Sequence, residues 1–438
     1  MFVRRIAVVG TGYVGLTTGA CLASLGHRVV CADVDEVKIA RLRAGRVGIL
    51  EPGLAELVAE GLAAGRLEFV LGARNAVFDS EVMFLCVPTP MGVDGAANLA
   101  AVESVVAEVG ELLPQGCVVV NKSTVPVGTA ARVGSLLNRP DVAVVSNPEF
   151  LREGSAVADF LNPDRIVVGC DAQDAAERVA ALYAKLGAPT VLTDAASAEM
   201  VKYAANCFLA MKLSYVNAVA ELCERLGANV IDVTEGMGYD RRIGASFLQP
   251  GPGWGGSCLP KDTHALSQVA GSVGFDFPLL QATIDTNARQ RHRVVQKVRE
   301  AVGGSLAGAR VGLLGLTFKA GTDDLRDSPA LAVADLLREQ GARLTAFDPG
   351  VREGLSDVTV VTDPYEVARG ADAIVLLTEW PEFRSLDWNR VTELMAGDTI
   401  VDTRNHLDRD ALDRAGLCWR GVGVSGSPRL DAVREVVS

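Results

Sequence analysis

The sequence lacks several features that would indicate common classes of protein. Its nine cysteines are scattered singly, without a CxxC pair or a Cys/His cluster, so we expect neither a disulfide framework nor a metal site. No uncharged run is long enough to span a bilayer, so we expect no membrane partner. The amino-terminal segment has no long apolar stretch followed by a cleavage site. We therefore expect no signal peptide and a reducing, cytoplasmic setting.

Positive charge is also in short supply. The 42 lysines and arginines are outnumbered by 54 aspartates and glutamates, which gives a formal net charge of -12. Nucleic acid is not an expected partner, because no broad basic face remains to neutralise phosphates. A small anionic ligand stays possible, since a pocket needs only a few local cations.

The first part of the chain alternates short apolar runs with helical stretches. Strands are expected at residues 5–9, 28–33, 82–87, 118–122, 143–146 and 165–169. This alternation predicts an α/β fold with a parallel doubly wound sheet. The Ala-rich stretch 197–226 contains no proline and predicts a long helix that connects two domains.

A second α/β unit begins near residue 310, after Gly303-Gly304-Ser305. It repeats the order of strand, glycine turn, helix, strand and acid, but it lacks a complete GxGxxG. We therefore expect two Rossmann-like domains, of which only the first binds a dinucleotide in the usual way. The predicted divisions are residues 1–196, a central helical domain at 197–303, and residues 304–438.

The chain opens with a dinucleotide-binding signature in its proper context, after a strand and before a helix. Gly10 permits the tight turn, Gly12 lets the backbone approach a pyrophosphate, and Gly15 allows close packing of helix and strand. Asp33 ends the next strand, where it can accept the ribose hydroxyls and repel a 2′-phosphate. Lys38 lies one turn further on, near the expected ribose. These residues predict NAD as the cofactor.

One cysteine stands apart because it lies in a glycine-rich loop directly before a helix. Cys258 precedes Pro260, and Lys261 and Asp262 occupy the first turn of that helix. The positive end of a helix favours a thiolate. Beside a nicotinamide site, such a thiol predicts an oxidation through a covalent thioester, although a structural cysteine is the alternative. Trp254, in the same loop, either stacks on a sugar or base or packs.

Other polar residues mark further candidate positions. Lys202 and Asn206 are four residues apart and share one face of the long predicted helix, among apolar neighbours. Glu149 and Glu153 follow a strand end, where ligand crevices form, and residues 122–126 follow another. The alternatives are a lysine that extends to solvent beside a capped amide, and carboxylates that only balance a helix end.

These residues together resemble the nucleotide-sugar 6-dehydrogenase family, which includes the UDP-glucose and GDP-mannose dehydrogenases. The resemblance covers nearly the whole chain, and its most specific element is the GGSCxPKD sequence at residues 255–262. The matching segments are residues 10–15, 51–54, 87–90, 122–128, 147–154, 202–206, 242–244, 247–262, 315–319, 323–328 and 378–380.

The resemblance implies an NAD-dependent four-electron oxidation of a sugar C6 alcohol to a carboxylate, with two NAD consumed. Cys258 would attack the intermediate aldehyde to give a thiohemiacetal, which is oxidised to a thioester and hydrolysed. In the family pattern Lys202 and Asn206 stabilise the oxyanion. Asp262 and Thr124 hold the water, and Glu149 acts as base or orienter.

The resemblance also implies the binding residues. For the cofactor they are Gly10, Gly12, Tyr13, Val14, Gly15, Asp33, Lys38, Pro88, Thr89, Ser123, Thr124, Glu153, Lys261 and Arg326. For the sugar nucleotide they are Glu149, Phe150, Leu151, Arg152, Glu153, Lys202, Asn206, Arg242, Phe247, Gln249, Gly253, Trp254, Gly255, Cys258, Phe318, Lys319 and Arg404. Arg242 is expected to reach the site of a neighbouring subunit in a homodimer, and the active site is expected between domains.

Different segments of the sequence resemble enzymes that act on different nucleotide sugars. Leu259 and residues 318–326 also resemble the GDP-mannose enzymes, whereas residues 247–253 and 378–383 resemble the UDP-glucose branch. The sequence therefore favours UDP-glucose, with GDP-mannose or another nucleotide sugar as the alternative. Two further hypotheses are a two-electron β-hydroxyacid dehydrogenase, which needs no thiol, and a non-catalytic protein that binds nucleotide sugars.

Overall fold

The computed structural model describes residues 3–92, 95–351, 355 and 358–424. The chain forms two compact units. The first comprises the described residues up to Asn206 together with His264–Asp276, and the second comprises Cys207–Thr263 and the described residues from Phe277 onward. The three-domain division stays a prediction, and the end of its last domain, residues 425–438, lies outside the described residues.

The first unit is built on an eight-stranded sheet with the order β3-β2-β1-β4-β5-β6-β7-β8. Apolar runs buried on both faces form its central strands, as expected where helices cover both sides. Pairing is parallel except between β6 and β7. The strands are β1 (Arg5–Val9), β2 (Arg28–Asp33), β3 (Leu67–Leu71), β4 (Val82–Leu85), β5 (Val118–Asn121), β6 (Ala143–Ser146), β7 (Ile166–Gly169) and β8 (Thr190–Thr193).

Helices connect these strands. They are α1 (Tyr13–Ser24), α2 (Glu36–Arg43), α3 (Leu54–Ala63), α4 (Arg74–Val77), α5 (Ala100–Val109), α6 (Thr129–Leu137), α7 (Ala156–Leu161) and α8 (Gln173–Leu182). Apolar side chains of both faces of the sheet form two cores with these helices. The carboxyl ends of β1, β4 and β5 therefore point to one edge, where the sequence places its polar segments.

The long helix α9 (Ala195–Leu226) begins in the first unit and ends in the second. It is followed by α10 (Val230–Gly238), α11 (Leu259–Ser272) and α12 (Pro278–Ala301). Gly274 adopts a φ of 71° between α11 and α12 and separates the two helices.

The second unit contains a six-stranded parallel sheet with the order β11-β10-β9-β12-β13-β14. Its strands are β9 (Arg310–Leu314), β10 (Arg343–Phe347), β11 (Thr359–Val360), β12 (Ala373–Leu376), β13 (Thr399–Asp402) and β14 (Cys418–Arg420). Its further helices are α13 (Pro329–Glu339), α14 (Trp388–Leu394) and α15 (Arg409–Arg414). The prediction of two Rossmann-like parallel-sheet units is confirmed.

Candidate active site

The glycine turn between β1 and α1 has the geometry of a dinucleotide-binding loop. Gly10 has a φ of 96°, and a Cβ atom there would lie 2.6 Å from the carbonyl oxygen of Cys86. A Cβ on Gly15 would lie 1.9 Å from the carbonyl oxygen of Gly10, so helix and strand pack too closely for any other residue. Around Gly12, by contrast, no atom lies within 4 Å of the Cβ position. That open space is where a pyrophosphate can approach the backbone.

Asp33, at the end of β2, is held as a carboxylate beside this turn. Its Oδ2 accepts hydrogen bonds from the Thr11 amide at 2.9 Å and the Thr11 hydroxyl at 2.6 Å, and Lys38 Nζ lies 3.0 Å from the same oxygen. Burial opposes ionisation of Asp33, but these donors outweigh it and lower its pKa to about 2. The negative charge suits ribose hydroxyls and repels a 2′-phosphate. The turn and this carboxylate together fit NAD.

Tyr13 links the glycine turn to the segment after β6. Its hydroxyl donates to Glu51, and the amide of Gly154 donates to the Tyr13 hydroxyl at 2.8 Å and to Oε2 of Glu51 at 2.8 Å. Burial and the Glu51 carboxylate raise the pKa of Tyr13. From the sequence, Glu51 was identified only as part of a segment that matches the family. Its role as the acceptor that joins the two loops becomes visible only in the structure.

The loops after β4 and β5 meet, as their positions at strand ends predicted. The Thr89 hydroxyl donates to the carbonyl of Thr124 at 2.9 Å, and the Ser123 hydroxyl donates to the carbonyl of Val87 at 2.8 Å. Pro88 lies between Val87 and Thr89 and shares this loop. Four of the residues expected to bind the cofactor are thus brought together within the first unit.

Glu149 and Lys202 form a buried ion pair. Lys202 Nζ lies 3.0 Å from Glu149 Oε1, and the two side chains are 4% and 5% exposed. The other carboxylate oxygen accepts from the Leu151 amide at 2.6 Å. Phe150 lies beside the pair, with its ring centroid 5.4 Å from Lys202 Nζ and 3.5 Å from the guanidinium carbon of Arg165. Asn206, one turn along α9, is also buried.

Arg152 differs from its neighbours in this segment. Its guanidinium is bonded to Asp159, and its backbone carbonyl accepts from the Tyr13 hydroxyl at 3.2 Å. The side chain of Arg152 is therefore engaged at the start of α7. A substrate contact by this residue stays a prediction.

Glu199 is a residue that the sequence reasoning missed. It lies three residues before Lys202 on the same face of α9, and its carboxylate accepts from the Gly128 amide at 2.6 Å, the Ala130 amide at 2.9 Å and the Ser146 hydroxyl at 2.9 Å. The two amides belong to the start of α6. Glu199 thereby fixes the end of the loop that carries Thr124. An acid within an apolar helical face was the available signal.

The loop before α11 lies entirely in the second unit and is shaped by its glycines. Gly253 and Gly256 have φ values of 126° and 81°. A Cβ on Gly255 would lie 2.0 Å from the carbonyl oxygen of Asp327, and one on Gly256 would lie 2.7 Å from the Phe318 ring. Larger residues would therefore push the loop away from Asp327 and from Phe318, which the family resemblance assigns to sugar-nucleotide binding.

Trp254 packs inside this unit. Its indole N–H donates to Ser214 Oγ at 2.9 Å, and its backbone amide and carbonyl bond to the side chain of Asn287 at 2.8 and 2.9 Å. Only 4% of the residue is exposed. Of the two sequence interpretations, the structure favours packing for this ring. Asn287, which holds the loop from α12, was missed.

Cys258 is half-buried, forms no disulfide and lies immediately before α11. Its sulfur lies 3.6 Å from the Ser257 hydroxyl. In the first turn, Lys261 Nζ lies 2.6 Å from Oδ1 of Asp262, whose side chain is 1% exposed. Burial raises the pKa of Cys86 and Cys207 to about 12, so these thiols are poor nucleophiles. Exposure separates Cys258 and Cys170 from the seven buried cysteines, and of these two only Cys258 lies in the glycine loop before a helix.

The remaining cationic candidates of the second unit are already engaged. Arg404 donates to the carbonyls of Leu377 at 3.0 Å and Phe318 at 3.3 Å, and a Cβ on Gly251 would lie 3.0 Å from its guanidinium. Arg404 thus lies against the loop that carries Cys258.

Two other arginines are paired near the surface with aspartates close in sequence. The guanidinium of Arg326 lies 2.7 Å from Asp324, and that of Arg242 lies 2.6 Å from Asp240. The side chain of Arg242 is 89% exposed. Phe247 and Gln249 lie in the loop that follows it. Phe247 has a φ of 62°, a conformation that costs energy in a residue with a Cβ and that clusters at functional sites.

Comparison with known proteins decides the family. Residues 4–187 match the NAD binding domain of the UDP-glucose/GDP-mannose dehydrogenase family, residues 196–289 match its central domain, and residues 312–409 match its UDP binding domain. The chain belongs to this family. It is therefore an NAD-dependent oxidoreductase, and the predictions of family and cofactor are confirmed.

Individual family members match over nearly their whole length. A UDP-glucose 6-dehydrogenase of Rhizobium meliloti is 45% identical over 433 residues, covering 96% of this chain and 99% of the relative. A UDP-glucose 6-dehydrogenase of Bacillus subtilis is 43% identical over 430 residues, covering 96% and 93%. The solved UDP-glucose dehydrogenase of the archaeon Pyrobaculum islandicum is 39% identical, with a TM-score of 0.89, covering 97% and 98%.

None of the helices in the described residues is long and apolar enough to cross a membrane. Within the same residues, no group of three or more His, Cys, Asp or Glu side chains is arranged to hold a metal ion.

Proposed function

We propose that the chain oxidises the C6 alcohol of UDP-glucose to the carboxylate of UDP-glucuronate, with Cys258 as the nucleophile. The observation that carries this proposal is the position of Cys258, a half-buried cysteine directly before α11, in a glycine loop packed on Phe318. UDP-glucose is favoured as substrate by the family models and by full-length relatives with that name. NAD, when bound, accepts the hydride in each of the two oxidations.

The chain's residues have distinct roles in this proposal. Cys258 attacks the aldehyde carbon, and its C–S bond persists through the thiohemiacetal and thioester until water replaces the sulfur. Lys202 and Asn206 stabilise the oxyanion that forms at that carbon. Asp262 and Thr124 hold the water, and Glu149 orients it or accepts its proton. One water and two NAD are consumed for each uronate released with two NADH.

The substrate is tested with a panel of UDP- and GDP-sugars, in which NADH release is measured for each. We expect UDP-glucose to give the highest kcat/KM. Faster oxidation of GDP-mannose would replace the substrate while leaving the chemistry intact. Full activity of Cys258→Ala would instead favour a two-electron dehydrogenase that needs no thiol.

We also infer a homodimer formed along α9. Phe208, Tyr215 and Leu222 follow one another at intervals of seven residues and are 57%, 56% and 53% exposed, and Leu226 extends the row at 72%. A heptad-spaced apolar row is the pattern by which helices pair with one another. A second copy of the chain offers the same row, so each row can cover the other across a two-fold axis. Tyr215→Lys should shift the mass measured by light scattering to that of a monomer.

The proposed role of Arg242 in a neighbouring site is tested by mixing two inactive variants. In a hybrid dimer of Arg242→Ala and Cys258→Ala, one site would receive both intact residues. Coexpression in equal amounts should then restore about a quarter of wild-type activity, because about half of the dimers are hybrids with one working site. If Arg242 acts within its own subunit, no activity returns.

The proposed setting is the cytoplasm. None of the nine cysteines, the proposed nucleophile included, forms a disulfide. A reducing compartment keeps such thiols available.

A further inference from the structure

A buried lysine that has no assigned role lies beneath the Glu149–Lys202 pair. Lys122 follows β5 directly and is 5% exposed. Its Nζ donates to Asn147 Oδ1 at 3.1 Å and to the Tyr183 hydroxyl at 3.3 Å, and the Tyr183 hydroxyl donates to the same Asn147 oxygen at 2.6 Å. Tyr183 and Asn147 are themselves 4% and 1% exposed. The three side chains form a closed, water-excluded set.

This set fixes the turn that carries Glu149. The Asn147 side-chain amide donates to the carbonyl of Val167 at 2.7 Å, and the Asn147 backbone amide donates to the carbonyl of Asn121 at 2.9 Å. Asn147 is therefore bonded to β5, to β7 and to Lys122. Glu149 follows after a single proline, so its position depends directly on how Asn147 is held.

Several titratable groups surround Lys122. Glu149, Lys202 and Cys86 act on it, and the Tyr183 hydroxyl accepts its hydrogen bond. Burial raises the pKa of Cys86 and of Tyr183, so both are neutral near pH 7. Glu149 is already paired with Lys202 at 3.0 Å. A protonated Lys122 adds a further buried positive charge that acts on Glu149.

Such a cation is costly to bury, so the buried ammonium gives up its proton more easily than an exposed one does. Burial is the main cause that lowers the pKa of Lys122 to about 8, with Lys202 acting in the same direction and Glu149 opposing it. The ammonium and the neutral amine differ by one charge that acts on Glu149 and Lys202, and they exchange within the pH range in which the enzyme can be assayed.

We propose that Lys122 is a positioning residue for the oxidation: through Asn147 and Tyr183 it holds the Glu149 turn, and its ammonium adds a positive charge to the surroundings of the Glu149–Lys202 pair. This inference rests on the proposed function. An added positive charge favours an oxyanion beside Lys202. Loss of the Lys122 proton removes that charge while the substrate contacts stay in place.

The decisive variant is Lys122→Met, which has similar length but neither charge nor N–H. We expect kcat to fall about tenfold, because the loss of a charge that favours the oxyanion lowers the rate by about one power of ten or more. KM for UDP-glucose should change less than about twofold. The pH dependence of kcat should change as well. Wild type should lose activity as the pH passes the Lys122 pKa, about 8, and Lys122→Met should lack that limb.

Two companion variants separate positioning from simple loss of stability. Tyr183→Phe removes only the hydroxyl that bridges Lys122 and Asn147. It should lower kcat, as Lys122→Met does, but by a smaller amount. Val118→Ala opens a cavity in the same strand and should lower thermal stability without moving the pH profile. If Val118→Ala, at equal loss of stability, reproduces the profile of Lys122→Met, the role assigned to Lys122 is wrong.

A second measurement does not depend on turnover. Since the folded protein holds the Lys122 proton less tightly than the unfolded chain does, stability should rise with pH from about 8 to the unfolded value of 10.5. The wild-type curve minus the Lys122→Met curve should show this rise, and a flat difference would overturn the buried charge. If wild type makes no UDP-glucuronate, the proposed function is wrong and the positioning role of Lys122 is wrong with it. If wild type turns over normally and the pH profile of Lys122→Met equals that of wild type, only the role of Lys122 is wrong.

Discussion

Lys202 Nζ lies 3.0 Å from Oε1 of Glu149, and both side chains are almost completely buried. Removing two charges from water costs energy that their attraction does not reliably return, so such a pair is weak support for stability. The proposed function gives the pair a role in the chemistry instead. A lysine held in this way can stabilise an oxyanion without first giving up bound water.

Breaking this pair from one side should be more damaging than removing both partners. Lys202→Met and Glu149→Leu should each lower the free energy of unfolding by about 3–5 kcal/mol, because each leaves a buried charge uncompensated. The double variant should regain most of that loss. Urea unfolding measures the three values, and turnover should be lost in all three variants. Additive losses in the double variant would mean that the two groups do not compensate each other.

Asp33 should control the choice between NAD and NADP. Asp33→Asn keeps the shape of the side chain and removes the charge that hydrogen bonds from Thr11 maintain. We expect KM for NAD to rise about tenfold, since hydrogen bonds to a charged acceptor are worth about 1.5–3 kcal/mol. The preference for NAD over NADP should fall, because the repulsion of the 2′-phosphate is relieved. Steady-state kinetics with both cofactors provides the comparison, and an unchanged ratio would argue against Asp33 as the ribose acceptor.

Glu199 should show itself in the pH dependence of stability. Burial raises the pKa of Glu199 above its ordinary value of 4.5 despite three hydrogen-bond donors. In the window above 4.5 the folded protein therefore retains a proton that the unfolded chain has lost, and this contribution to stability declines as the pH rises. Wild type minus Glu199→Gln should decline across that window. The exposed Glu177, changed to Gln, is the control and should give no such decline.

Trp254→Phe distinguishes a packed indole from one that stacks on the substrate. The variant loses the hydrogen bond to Ser214, so stability should fall by about 1 kcal/mol, and KM for UDP-glucose should stay within about twofold. Ser214→Ala should cost a similar amount, and the double variant little more than either single one. A large rise in KM for Trp254→Phe, without a matching rise for Ser214→Ala, would show that the ring contacts the sugar nucleotide.

Local patterns were sufficient to predict most of the fold. β1, β2 and β6 begin and end at the residues that the apolar runs predicted, because buried parallel strands are nearly uniform in hydrophobicity. β3 and β8 were missed. They lie at the edges of the sheet, where polar residues replace part of the apolar run. The order of strands follows from the handedness and adjacency rules once the strands are known.

The site was predictable where one motif holds all of its parts. The glycine turn, Asp33 and the cysteine loop are contiguous signals of this kind. The roles of Glu51, Glu199 and Lys122 were missed because they depend on burial and on partners that are 25 to 106 residues away, and neither is written in a local pattern. A buried charge is recognised only when the neighbours that remove its water are known.

The central claim is that one sulfur atom, that of Cys258, carries the sugar through the second oxidation. The most direct test counts NADH against UDP-glucuronate for wild type and for Cys258→Ala. We predict two NADH for each UDP-glucuronate with wild type, without release of aldehyde, and no UDP-glucuronate with Cys258→Ala. Uronate formed by Cys258→Ala at the wild-type rate, or a wild-type reaction that stops after one NADH, would contradict the account.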